Sequence, residues 1–158
     1  MYRLIAIDID DTLLAPDGSL PEANRQALER LHARGVAVVL SSGRATASMV
    51  KVAADILPPA DDEYLISFNG ARVTTLLSGT ILHERTLTTA AIGAVLHYTR
   101  EQNLLVLGYR DDYFLSERDD ERCGTYARNT GLDYRVVDDL EAELRQGSPK
   151  LLIIDEPS

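Results

Sequence analysis

Asp8, Asp10 and Asp11 lie inside LIAIDIDDTLL, residues 4–14, an otherwise apolar run. Burial makes such charge costly, so the run calls for partners. If it forms a strand, the two-residue alternation projects Asp8 and Asp10 to the same side. Two carboxylates that close repel, so either one stays protonated or a cation sits between them. A hard cation such as Mg²⁺ takes oxygen ligands, keeps several waters and often shares its shell with phosphate. A carboxylate can act as a nucleophile and be phosphorylated, and a second carboxyl two residues on can serve as acid and then as base. The chemistry implied is phosphoryl transfer, which also needs hydrogen-bond donors or positive charge around the phosphate oxygens.

The elements that must hold these groups are legible. Residues 3–9 are rich in Leu, Ile and Ala with no polar alternation, which predicts a strand buried on both faces. SLPEANRQALERLHARG predicts a helix, with Ser19 and Glu22 at capping-box spacing, Pro21 in the first turn and Gly35 closing the end. VAVVLSS (36–42) is a second strand. A helix from Thr46 to Leu57 is stopped by Pro58 and Pro59, and YLISF (64–68) is a third strand. This β-α-β-α-β order with short connections predicts a parallel sheet. ARVTTLLSGTILHER then predicts two short strands joined at Ser78-Gly79. The remainder reads as a helix over 88–102, strands at LLVLGY and 113–116, a helix over 119–129, a strand YRVV, a weak helix near 138–146 and a last strand KLLIID. The fold class is therefore α/β, divided into residues 1–80 and 81–158.

Ligands of parallel α/β sheets bind at the carboxyl ends of the strands. Three such ends carry unusual polar groups: Asp8-Ile9-Asp10-Asp11-Thr12, Ser41-Ser42-Gly43-Arg44 and Asn69-Gly70. A hydroxyl and backbone N–H groups at a loop-to-helix junction can hold phosphate.

These segments resemble the haloacid dehalogenase superfamily, and within it the Cof-type sugar-phosphate phosphatases. DIDDTLL matches the first motif, DxDx(T/V)L; VVLSSGR matches a hydrophobic strand ending in (T/S)GR; ISFNGA matches the NGA segment after the third strand. The resemblance implies a Rossmann-like parallel core followed by part of a C2-type α+β cap. It implies Asp8 as nucleophile and Mg²⁺ ligand, and Asp10 as general acid/base with its carbonyl on the metal. Ser42 would hold the transferring phosphoryl group. Asp11 and Thr12 would shape the loop, with the Asp11 N–H near the phosphate, and together with Gly43, Arg44 and Asn69 they would line the phosphate or substrate site. The expected partner is a small phosphorylated substrate such as a sugar phosphate.

The family's third motif, a lysine, and its fourth, GDxxND, are not matched. Lys150 reads as the start of a cap strand, and Asp111-Asp112 and Asp119-Asp120 as solvated loop acids. The resemblance thus covers the first half or so of a typical member. In the family the strand bearing the fourth motif lies beside the first. Without it LIAIDID would be an edge, which implies a homodimer, a swapped assembly or poor stability. The alternatives are a truncated, inactive fragment or interaction module, and a receiver-like domain, which would need an acid where Asn69 stands.

Bulk properties narrow the field. With 25 acidic against 16 basic residues the net charge is −9, which argues against nucleic acid as a partner. No apolar run approaches the ~20 residues of a membrane span. The N-terminal apolar run is short and broken by acids, so it does not read as a signal peptide. Cys123 is the one cysteine, reads as a small buried side chain and excludes an intrachain disulfide; a cytoplasmic location fits. His32, His83 and His97 lack metal-ligand spacing.

Overall fold

A computed structural model describes residues 2–57, 63–110 and 112–155. The chain divides into two compact units, Met1–Glu84 and Arg85–Ser158. Both combine helices with sheet, so the α/β class stands. Among the described residues no helix is long and apolar enough to cross a membrane.

The first unit runs β1 (Leu4–Asp8), α1 (Glu22–His32), β2 (Ala37–Ser41), α2 (Thr46–Ile56), β3 (Tyr64–Ser67), β4 (Arg72–Thr75) and β5 (Ile81–Glu84). The sheet order is β1-β2-β3-β4-β5. The pairs β1–β2 and β2–β3 are parallel, whereas β3–β4 and β4–β5 are antiparallel. Crossover helices make the first three strands parallel, and tight turns reverse the last two. The core lies between β2, β3 and the two helices, and includes Leu28, Val38, Leu40, Met49 and Leu65. Glu63 is buried there, and its Oε2 accepts the Val38 N–H at 2.9 Å.

Two expectations are corrected. β1 is not buried on both faces: Leu4 is 51% and Ile5 37% exposed. Its backbone is paired to β2 alone among the described residues, so its apolar side chains have company on one side only. Nor does Ser19 form a capping box. The helix starts at Glu22 behind Pro21, whose φ of −58° suits a helix entry. Ser19 instead donates its N–H and Oγ to Asp17 Oδ1, at 2.9 and 2.6 Å. A carboxylate two residues away in a turn outcompetes the more distant glutamate. The proline stop at Pro58 and Pro59 lies outside the described residues, as does Asp111.

The second unit contains α3 (Thr89–Glu101), β6 (Leu105–Tyr109), β7 (Tyr113–Ser116), α4 (Glu121–Thr130), β8 (Asp133–Val136), the short α5 (Leu140–Glu143) and β9 (Leu151–Ile154). Its sheet order is β8-β7-β6-β9, with only β7–β8 parallel. Thr88 caps α3 by accepting the Ala91 N–H, and Gly131 ends α4 in a left-handed conformation. Asp120 accepts the Arg122 N–H at the start of α4 and pairs with the Arg122 guanidinium at 2.7 Å. This acid is a helix cap. Ile92, Leu96, Val106, Leu115, Leu140 and Leu144 form the core of the unit. Cys123 is fully buried.

Candidate active site

β1 and β2 run parallel with Asp8 opposite Ser41, so both chains leave the sheet side by side. The strand stops at Asp8. Residues Ile9–Leu13 form a wide turn closed by the Leu14 N–H on Ile9 O at 2.9 Å. Within it Ile9 and Leu13 point into the core, while Asp8, Asp10, Asp11 and Thr12 face solvent. Two apolar anchors thus fix a turn made of polar groups. Asp11 takes the left-handed region at φ 56°. Thr12 Oγ1 lies 3.4 Å from Asp8 Oδ2, a long contact that leaves the carboxylate largely open.

Ser42 follows β2, and its N–H donates to Ile66 O of β3 at 2.9 Å. The Ser42 side chain accepts the Arg44 N–H at 3.2 Å. Arg44 then reaches across to the turn after β1. Its Nε donates to Asp10 Oδ2 at 2.9 Å and its Nη2 to Asp10 Oδ1 at 2.6 Å. This paired fork holds the Asp10 carboxyl below the usual carboxylate range. The Arg44 hydrogen bonds are the largest cause, desolvation opposes them, and the Arg44 charge and a Ser42 hydrogen bond add to the lowering.

The third strand end closes over the second. Asn69 N–H donates to Ser42 O at 3.2 Å, and Phe68 N–H to Arg44 O at 2.9 Å. A Cβ on Gly43 would fall 2.7 Å from Asn69 Oδ1, so a larger residue there would push the Asn69 side chain aside. Helix α2 begins at Thr46, directly after this loop, and its N-cap, Ala45, offers no side-chain acceptor. The first N–H groups of such a helix suit an anion.

The structure therefore gathers Asp10, Ser42 and Arg44 by direct contact, joins Asn69 to Ser42 and Gly43, and sets Asp8 and Thr12 on the neighbouring strand end. Phe68 was missed in the sequence. Its left-handed backbone is foreshadowed only by the adjacent Asn-Gly, a turn signal. Asp112 and Asp119 are exposed and join no such gathering.

The donor set suits magnesium in kind. Asp8 offers an open carboxylate and Asp10, whose carboxylate Arg44 holds, a backbone carbonyl; both are hard oxygens, and Mg²⁺ is commonly held by one or two carboxylates plus substrate phosphate. Among the described residues no group of three or more His, Cys, Asp or Glu side chains could hold a metal ion. The fit is to an ion that shares its shell with phosphate and water.

Three parallel strands, β1 to β3, bring acids, a hydroxyl and an arginine together at adjacent ends of a mixed α/β sheet. The sequence matches the haloacid dehalogenase-like hydrolase family over residues 5–158: the chain belongs to that family. It is 34% identical over 138 residues to the HMP-PP phosphatase of Cronobacter sakazakii, covering 87% of this chain and 49% of that protein. The HMP-PP phosphatase of an Enterobacter strain is 31% identical over the same shares. Among solved structures, a haloacid dehalogenase-like hydrolase of Bacteroides thetaiotaomicron superposes with a TM-score of 0.86 at 24% identity, over 99% of this chain and 59% of that one. A protein of Thermotoga maritima gives 0.80 at 31% identity, over 98% and 57%. The chain spans about half the length of these two curated relatives.

Proposed function

We propose that the chain carries the nucleophile-bearing site of a magnesium-dependent phosphatase acting on a small phosphorylated metabolite, such as a sugar phosphate. The observation that carries this reading is the meeting of two strand ends, in which Arg44 grips Asp10 beside the open carboxylate of Asp8. The name phosphatase on the relatives supports it.

In this reading an Asp8 oxygen attacks phosphorus while the bond from phosphorus to the leaving oxygen breaks. Protonated Asp10 gives its proton to that oxygen. Asp10, now a carboxylate, takes a proton from water as the water attacks the phosphoryl-Asp8, releasing inorganic phosphate and freeing Asp8. Arg44 favours the ionised form of Asp10, which is the form required toward water. The phosphate that arrives competes for the same guanidinium and relaxes that preference before the proton is given up. Ser42 and the N–H groups at the start of α2 hold phosphate oxygens, Asp11 and Thr12 keep the turn in shape, and Gly43 and Asn69 hold the loop close. Magnesium would be held by the Asp8 carboxylate and the Asp10 carbonyl, and would neutralise charge on the transferred group. A cytoplasmic location and a second copy covering β1 belong to the same reading, supported by the lone buried Cys123 and the exposure of Leu4 and Ile5.

A non-catalytic binding module is the second reading, favoured by the absence of a third acidic donor among the described residues. Hydrolysis of p-nitrophenyl phosphate and of sugar phosphates with Mg²⁺ separates the two. Turnover that falls at least about 10³-fold in Asp8→Asn is expected for a lost covalent nucleophile. No turnover in the unaltered chain, with no phosphate trapped on aspartate, would establish the second reading.

A further inference from the structure

Phe68 and Asn69 are consecutive residues with left-handed backbone, at φ 53° and 56°. Asparagine tolerates that region, but for a bulky side chain it is an outlier. Such a conformation persists only where its surroundings over-determine it. The surroundings here can be named. Phe68 is 2% exposed, and the Arg72 guanidinium carbon lies 5.4 Å from its ring centroid. A cation over an aromatic face is attracted by the ring, more strongly when both are withdrawn from water, and Arg72 is only 7% exposed.

Arg72 is held in turn. Its Nε donates to Glu84 Oε1 at 2.6 Å, and its Nη2 lies 2.5 Å from the same oxygen. The sheet sets this pair up, because Arg72 stands opposite Ser67 across β3–β4 and opposite Glu84 across β4–β5. Glu84 is the last residue of the first unit. A contiguous series of contacts therefore runs from that residue through Arg72 to Phe68. It continues through the Phe68 and Asn69 N–H groups to the carbonyls of Arg44 and Ser42.

We infer that Arg72, gripped by Glu84, is a positioning residue that fixes the Phe68–Asn69 turn and through it the Ser42–Arg44 loop, tying the strand that leaves the first unit to the loop that would hold phosphate. The function given to that loop rests on the phosphatase reading, whereas the order imposed on it does not. Arginine is required because its planar group stacks and forks at once; a lysine presents a point charge.

Amide hydrogen exchange in the full chain tests this without any need for turnover. The rates at Phe68 and Asn69 are compared with that at Leu40, in the middle of β2. In Arg72→Met the ratio is expected to rise about tenfold, as a local opening of the turn. Glu84→Gln keeps the side chain's size and retains the ring contact, so the ratio should rise in the same direction by less. The proposal is overturned if the ratio stays put in both variants, whether all three amides exchange faster together or none does. Calorimetric titration of the unaltered chain with inorganic phosphate and Mg²⁺ runs beside it. Absence of binding there counts against the phosphatase reading, while the exchange ratio alone decides the role of Arg72.

Discussion

β1 and β2 are neighbours in one sheet, have nearly interchangeable text, LIAID and AVVLS, and live in different surroundings. In β2 the residues Val38, Val39 and Leu40 are at most 4% exposed, whereas Leu4 and Ile5 of β1 stand open to solvent. Apolar text states what a strand would tolerate around it, and its place in the sheet decides what it gets. Among the described residues β2 has strands on both sides and β1 on one. Yet the exposed strand ends in the carboxylate that would react, and the buried one ends in the hydroxyl loop beside it. In the phosphatase reading, stability is concentrated in one strand and reactivity at the end of the other.

The hardest test of that division is a matched pair of truncations. Leu40→Ala should cost about 3 kcal/mol, because a fully buried leucine leaves a cavity that a close-packed sheet fills poorly. Leu4→Ala should cost no more than about 0.5 kcal/mol, the range of a surface change. Urea unfolding followed by circular dichroism reads both. Equal costs would mean that β1 is covered in solution, and a dependence of the Leu4→Ala cost on protein concentration would point to a second copy as the cover.

Gly43→Ala probes the end of the buried strand. The new Cβ would meet Asn69 Oδ1 at 2.7 Å, so the asparagine must swing aside and the loop loosens. A cost of about 1–2 kcal/mol is expected, in the lower part of the range for overpacking. In an Asn69→Gly background the clash is gone, and glycine suits the φ of 56° there. The same Gly43→Ala change should then be nearly neutral. A cost that survives Asn69→Gly would place the strain in the Gly43 backbone instead.

Much of this arrangement could be read before any coordinates. The β-α-β-α-β order, the hairpin turning at Gly79, and the polar strand ends at Asp8, Ser42 and Asn69 follow from period, turn residues and short motifs, all of them local properties. What could not be read depends on competition or on long-range pairing. Ser19 and Glu22 have capping-box spacing, but Asp17 takes both donors of Ser19. The residues of β1 read by themselves as a strand buried on both faces; its place at the edge was legible only through the family resemblance, and the strand order agrees with that. The Arg44–Asp10 fork joins residues 34 positions apart, and nothing near either one announces the other. The left-handed Phe68 is held by Arg72 and by the Arg44 carbonyl, both reached only through the assembled sheet.

That fork gives the smallest expected effect, and one with a definite sign. Arg44 lowers the pKa of Asp10 in the folded chain, so the fold binds this proton less readily than the unfolded chain does. The pair therefore stabilises fully above the unfolded value of about 4, and its contribution disappears as pH falls through the lower folded value. The Asp10 side chain is half exposed, so solvent screening keeps the magnitude below about 1 kcal/mol. Comparison of the unaltered chain with Arg44→Met should show a small deficit for the variant at pH 7 that closes below about pH 4. High salt should shrink the deficit at pH 7. A deficit that persists unchanged into acid would assign it to packing of the arginine stem. The two strand ends would then be joined by contact area, with charge contributing nothing to the union of the exposed strand and the buried one.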